Sequence, residues 1–322
     1  MDASTIDEVL EVFSTHQIFY YYKDKYIIDR ILNTGQTQIN TQTLRKAGLQ
    51  KCADNRLVKK LLAKAQGTLL LQDLYAYWPE DGLCFTLTFD KWGAAPLKRR
   101  KASYYQTSRS GYSLVLQLNF SSEHTRDFFR YLKPVSGIRT FQYGGHPVAR
   151  QKYATLGWCR MDVDFATGEV LIEELQTDWL REVAELEKRL GAIKTTENAK
   201  CCLECYGLST TVSSWKKYLK SFSAYRTVWS EALLHAAVQF AKTELGLEHI
   251  WMHSFESGNL FKELKWSKPP KSLYSKLPKK YGFEARADGP AFLKEEGYLK
   301  RHFKMAALKK IDWYKLPEFN SL

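Results

Sequence analysis

Chemistry-bearing residues concentrate in Gly168-Glu-Val-Leu-Ile-Glu-Glu-Leu-Gln-Thr-Asp-Trp179, where Glu173, Glu174, Gln176 and Asp178 stand among apolar neighbours. Side chains alternate between the faces of a strand, so Glu174, Gln176 and Asp178 share one face while Glu173, Leu175 and Thr177 take the other. A carboxylate on such an edge is a general-base candidate that takes a proton from an amine. Glu174 is the first choice for that base, with Asp178 as its partner and Gln176 and Trp179 beside the substrate. The competing structural reading has Asp178 capping a helix and Glu174 paired with an arginine.

The elements that position these residues are legible around them. Residues 157–164 alternate as a strand, 166–168 form a tight turn, and 170–175 return as the hairpin partner. Residues 179–190 are amphipathic and helical, and 228–245 form a long helix that Gly246 stops. A buried strand, 247–254, carries His253 at its end, and a helix over 272–280 leads into Tyr281-Gly-Phe283. Upstream, 83–89 and 112–120 alternate as strands, 123–132 reads as a helix, and 134–147 is a glycine-bearing loop. Residues 190–222 read as an insertion. They hold Cys201, Cys202 and Cys205, whose spacing is half of a zinc site with no second pair to complete it, so no metal is expected.

The first 80 residues read as a small helical module. Two short helices, 41–47 and 55–65, carry Arg45, Lys46, Arg56, Lys59, Lys60 and Lys64 and precede a short apolar run, an order that fits a winged helix-turn-helix or else a solvated face. Residues 81–322 then form a mixed α/β (α+β) domain. Between its first two strands, residues 98–101 are all basic and precede Tyr104, Tyr105 and Arg109, a pattern suited to phosphate contact and base stacking or to a solvated loop. Residues 262–310 are again rich in lysine around Trp266 and Tyr274.

Composition sets the outer limits. A chain of 322 residues that is 44% hydrophobic buries a substantial core, and a formal net charge of +13 attracts nucleic acid, acidic proteins or anionic cofactors. The opening residues lack a basic and apolar leader, and no window approaches the about 18 apolar residues of a membrane span. Six cysteines are too few for a disulfide framework in a chain of this size. The expectation is a cytoplasmic protein that does not enter membranes, with its oligomeric state left open.

The order of hairpin, long helix over Trp229-Ser-Glu-Ala-Leu-Leu-His-Ala-Ala-Val-Gln-Phe-Ala241, strand His249-Ile-Trp-Met-His253, short helix and Tyr281-Gly-Phe-Glu284 resembles the GNAT N-acetyltransferase family over residues 155–290. That resemblance implies a mixed sheet with flanking helices and acetyl-CoA or another acyl-CoA in the gap where the strand at 170–175 splays from its neighbour. The family's pyrophosphate loop corresponds to Arg226-Thr-Val-Trp-Ser-Glu-Ala232, with Val228 and Trp229 in its glycine region, so Arg226, Thr227 and Trp229 are the implied cofactor contacts. On the residues themselves, Tyr274 or Tyr281 is the candidate to reprotonate the thiolate, and His253, on the strand at the expected opening, and Arg109, in the basic and aromatic loop, are the candidate substrate contacts. Leu171-Ile-Glu-Glu-Leu-Gln-Thr-Asp-Trp179 is also similar to a Glu-Glu-x-Gln-Ser-Asp-Trp segment of phage and mobile-element proteins. Two functions follow as expectations: an acyl-CoA-dependent N-acyltransferase acting on a nucleic-acid or protein amine, or a non-catalytic nucleic-acid-binding protein.

Overall fold

The computed structural model describes residues 1–94, 105–137, 140–149, 153–264 and 268–317. Among the described residues the strands are β1 (Gln17–Tyr21), β2 (Gln38–Ile39), β3 (Leu69–Leu70), β4 (Leu83–Ala94), β5 (Gly111–Phe120), β6 (Thr155–Asp164), β7 (Glu169–Gln176), β8 (His249–Met252), β9 (Glu284–Arg286) and β10 (Trp313–Lys315). Eight of them form one mixed sheet in the order β1-β4-β5-β6-β7-β8-β10-β9, and β2 pairs with β3 alone. The β4-β5-β6-β7 run is antiparallel, whereas β7 and β8 pair in parallel. The fold class is therefore mixed α/β, a large sheet flanked by helices.

The chain separates into two compact units, one built from residues 1–20 and 84–316, the other centred on residues 21–83. Sequence pattern alone joins residues 1–80 in one module. Contacts place the first twenty with the sheet, because β1 lies at its edge and the helix Ala3–Val12 packs against β5.

In the larger unit the two faces of the sheet are covered differently. The helix Val212–Thr243 packs on β6 and β7 and against the helix Ser122–Leu132. It is 32 residues long, so it begins sixteen residues before the start expected at 228, with Thr211 as its N-cap. Gly157 allows that close approach: a Cβ there would lie 2.9 Å from Gln176 O and 3.3 Å from the Trp229 ring. On the other face, Leu171 and Trp251 bury against Phe261, Phe292, Leu293 and Trp313 from the C-terminal helices and β10.

One end of the long helix is held by an aromatic cluster. The Trp179 ring meets those of Phe120, Phe128 and Phe141 at 4.9, 5.0 and 5.2 Å, and its Nε1–H donates to Tyr218 Oη at 2.7 Å. His124 stacks on Phe120 at 3.5 Å and meets the same Tyr218 hydroxyl at 3.1 Å. With these rings packed around it His124 is buried, and burial pushes its pKa down to about 3.

In the smaller unit, the helices Lys25–Leu32, Thr41–Lys46, Gln50–Ala53 and Arg56–Lys64 pack around Ile27, Ile31, Leu44, Cys52, Leu61 and Leu62. Asn40 caps the second with a reciprocal bond to Thr43, and Gly48, at φ +72°, ends it in the left-handed region that glycine tolerates. The β2-β3 ladder, Gln38 with Leu70 and Ile39 with Leu69, ties the entry of this helix pair to its exit. Among the described residues, no helix is long and apolar enough to cross a membrane.

The buried His124 makes stability acid-sensitive in a defined window. Below its ordinary pKa of 6.5 the unfolded chain takes up a proton that the folded ring refuses until about pH 3, so stability is lost as pH falls through that range. At roughly 1.4 kcal/mol per pKa unit, the loss is on the order of 4 to 5 kcal/mol. Urea unfolding at pH 7, 5 and 4 should show His124→Gln losing distinctly less stability on acidification than the wild type. Parallel losses would show that the ring is not held neutral.

Candidate functional site

β7 is longer than the strand beside it. Its parallel pairing with β8 covers Glu169–Ile172 against His249–Met252 and continues only through His253 N–H donating to Ile172 O at 3.4 Å. Beyond that point the two chains part, and side chains take over the exposed backbone edge. Lys262 Nζ donates to Glu173 O at 3.0 Å, and the Tyr274 hydroxyl accepts from Leu175 N–H at 3.0 Å and donates to Leu175 O at 3.4 Å. Both side chains are buried, so the parting strands enclose packed polar groups. Leaving those backbone groups unpaired would cost about 1 to 3 kcal/mol each.

A bulge decides which way the two glutamates point. Arg160 pairs with Glu174 and Met161 with Ile172, so Glu173 is the extra residue between them. Strict alternation puts Glu173 and Glu174 on opposite faces; the bulge turns both toward the segment that precedes β5. Glu173 Oε1 accepts from Ser108 N–H at 2.9 Å, while Glu174 pairs with Arg160, whose guanidinium donates to Tyr105 O at 2.7 Å and Gln106 O at 3.1 Å.

The groups around Glu173 form a sealed cluster. His253 Nε2 lies 2.8 Å from Ser108 Oγ and 3.3 Å from Glu173 Oε2, and Nδ1 lies 3.1 Å from Ser257 Oγ. Burial alone would raise the Glu173 carboxyl. The His253 ring, the Lys262 ammonium and the Ser108 N–H outweigh it and hold the group at about 2. Burial pushes His253 down, which favours the neutral ring; its Nε2 hydrogen-bonds with Ser108 Oγ, while Glu173 Oε2 lies nearby with no hydrogen-bond partner among the described residues. Burial, with Arg160 adding, lowers Lys262 to about 7. Although serine, histidine and glutamate meet here, serine and glutamate approach the same ring nitrogen, and both glutamate and histidine are wholly buried. A nucleophilic triad needs them on opposite nitrogens with the serine open to substrate.

On the outer side of Arg160 and Glu174 lies an open cleft of about 540 Å³. Trp92, Tyr105, Tyr143 and Trp158 supply its aromatic walls, and Gln176, His146 and Arg181 its polar ones. Thr177 caps the helix Asp178–Ala192 by accepting from Leu180 N–H, which frees Asp178, in the first turn, for other work. Its carboxylate accepts from Tyr143 N–H at 3.1 Å, pairs with Arg181, and meets His146 Nδ1 at 3.0 Å through both oxygens. The helix dipole favours a negative charge at that position. His146 Nε2 meets no hydrogen-bond partner among the described residues. A histidine fixed through one nitrogen by a carboxylate and open at the other is the arrangement that general acid–base chemistry uses.

Of the residues singled out in the sequence, the cleft gathers Glu174 and Gln176 directly and Asp178 through His146 and Arg181. Others lie elsewhere. Trp179 is enclosed in the aromatic cluster and His253 in the sealed one, both fully buried, so neither can touch a substrate in the cleft. Tyr274 serves the backbone of Leu175, Tyr281 lies 2.8 Å from His235 Nδ1, and neither lines the cleft. Arg109 is engaged by Asp162 at 2.8 Å and Asp164 at 3.2 Å over the Phe292 ring. Arg226, Thr227 and Trp229 fall inside the long helix, where backbone N–H groups are committed to the helical ladder. Arg226 itself pairs with Glu187 at 2.6 Å. Lys262, read with the basic surface of 262–310, turns inward. Residues 98–101, Tyr104, Lys265 and Trp266 lie outside the described residues.

His146, Arg160, Arg181, Tyr143, Trp158 and Trp92 are among the cleft residues that sequence reasoning missed. For His146 the available signal was Gly144-Gly-His-Pro147, a histidine in a loop that no apolar period claims. Arg160 and Trp158 on β6 are the direct cross-strand partners of Glu174 and Gln176, on the same face of the sheet. No protein-family model, curated protein or solved structure matches the chain.

Lys262 gives the sealed cluster a signature. Its folded pKa of about 7 lies below the ordinary 10.5, so between those values the unfolded chain holds the extra proton and stability rises with pH. From pH 7 to 10 the wild type should therefore gain on Lys262→Met by a few kcal/mol in denaturant unfolding. A stability difference constant across that range would mean Lys262 stays charged.

Proposed function

We propose that the larger unit is an acid–base enzyme whose cleft holds a small ring-bearing, anionic substrate. The observation that carries this reading is the His146–Asp178 pair, 3.0 Å apart on the wall of the cleft. Asp178 orients the ring, and His146 Nε2 takes a proton from a substrate hydroxyl or amine as that atom bonds to an electrophilic carbon or phosphorus of the substrate, then returns the proton to the oxygen or nitrogen whose bond to that centre breaks. Arg181, half exposed, supplies the anion contact, and the aromatic walls stack on the substrate's planar part. Glu174, already paired with Arg160, acts as a fixed hydrogen-bond acceptor alongside Gln176. All six thiols are free, which suits the reducing cytoplasm.

A second reading, an acyl-CoA-dependent N-acyltransferase with a GNAT-like sheet, is supported by the parallel β7-β8 pair that parts beyond Ile172. Against it stand Lys262 and Tyr274 in the gap and a helix with no free N-terminus near Arg226.

A thermal-shift screen of nucleotides, aromatic acids and acyl-CoAs on the full chain tests both. The first reading expects a stabilising anionic ring compound whose effect is lost in Arg181→Ala. Turnover of that compound should fall about 10²- to 10⁴-fold in His146→Gln and in Asp178→Asn, with KM changed only a few-fold. Undiminished turnover in His146→Gln would end this reading. Stabilisation by acetyl-CoA that survives Arg181→Ala would favour the second.

A further inference from the structure

The smaller unit carries a charged surface that the cleft does not use. The helix Arg56–Lys64 buries Val58, Leu61 and Leu62 on one side and exposes Arg56, Lys59, Lys60 and Lys64 on the other. At about 100° per residue these four cations fall within an arc of about 140°, opposite the apolar stripe. Arg45 and Lys46, at the end of the helix Thr41–Lys46, are exposed as well. Between residues 41 and 67 Asp54 is the only acid. It lies 3.7 Å from both Arg45 and Lys59 at exposed positions, where such pairs contribute little and leave the surface strongly positive.

We propose that residues 41–64 form a helix-turn-helix that binds duplex DNA, with the helix Arg56–Lys64 as the element that enters the major groove. Three features favour this partner. The helices Thr41–Lys46 and Arg56–Lys64 are linked through the one-turn helix Gln50–Ala53 and Asn55, whose side chain accepts from Leu57 N–H, so the basic helix has a fixed start. An α-helix with its side chains is about 10–12 Å across, which a major groove about 12 Å wide admits, and the nine residues of the basic helix give about 13 Å of length along the groove. Its exposed face offers cations and Ala63 and no large apolar side chain, whereas a membrane-surface helix presents aromatic or leucine residues outward. The deep, narrow major groove of duplex RNA does not admit a helix. This inference is independent of the cleft: it survives if the cleft proves inert, and fails alone if DNA is not bound.

The test is fluorescence anisotropy of the full chain with a labelled DNA duplex of about 20 base pairs, between 50 and 200 mM salt. The expected result is affinity that falls steeply with salt, since each phosphate contact contributes about 0.9 to the slope of log K against log salt. Lys59→Gln/Lys60→Gln should weaken binding at least tenfold and flatten that slope by about two, with unchanged circular dichroism. Lys59→Arg/Lys60→Arg should keep binding, as should Arg181→Ala in the cleft. Salt-independent binding, an unaffected glutamine variant, equal affinity for duplex RNA or single strands, or capture by anionic phosphatidylserine vesicles in place of DNA would each overturn the proposal.

Discussion

The larger unit depends on how the free edge of β7 is satisfied. Four residues of this strand, Glu173 to Gln176, continue beyond the reach of β8, and a buried strand edge cannot be left with orphaned N–H and C=O groups. The chain solves this with side chains in place of a strand. Tyr274 answers both polar groups of Leu175, and Lys262 answers the carbonyl of Glu173. Because these partners come from the region after β8, the C-terminal part of the chain is tied to the strand that supports the cleft.

The bulge at Glu173 follows from the same place. With an extra residue, both glutamates turn toward the segment 105–109, where Ser108 receives one and Arg160 bridges the other to Tyr105 and Gln106. The inner group becomes a sealed ionic cluster, and a carboxylate buried beside a lysine and a neutral histidine is stable only while each keeps its partners. The outer group becomes a cleft wall. Rigidity inside and polar groups outside thus arise from one irregularity in one strand.

The legible parts of this architecture are those set by local pattern. The hairpin, with its turn over 166–168, follows from alternation and turn residues, and so do β5, the helix expected over 123–132 and the basic helix expected over 55–65. The face shared by Glu174 and Gln176 was legible for the same reason. What period and propensity do not encode is tertiary. The bulge exists only against β6, so strict alternation misplaced Glu173. Thr177 takes the cap and releases Asp178 toward His146, thirty-two residues earlier in a loop with no period. Arg226 lies in a helix whose start is set by Thr211, so the terminus expected near it does not form.

The most direct test is hydrogen exchange at the Leu175 amide, the edge donor whose partner in this structure is the Tyr274 hydroxyl. In the wild type it should exchange as slowly as the core of the sheet; in Tyr274→Phe it should exchange through local opening while the β5 and β6 amides stay protected. A Leu175 amide that remains equally protected without the hydroxyl would contradict the account, because the edge of β7 would then be satisfied by something other than Tyr274.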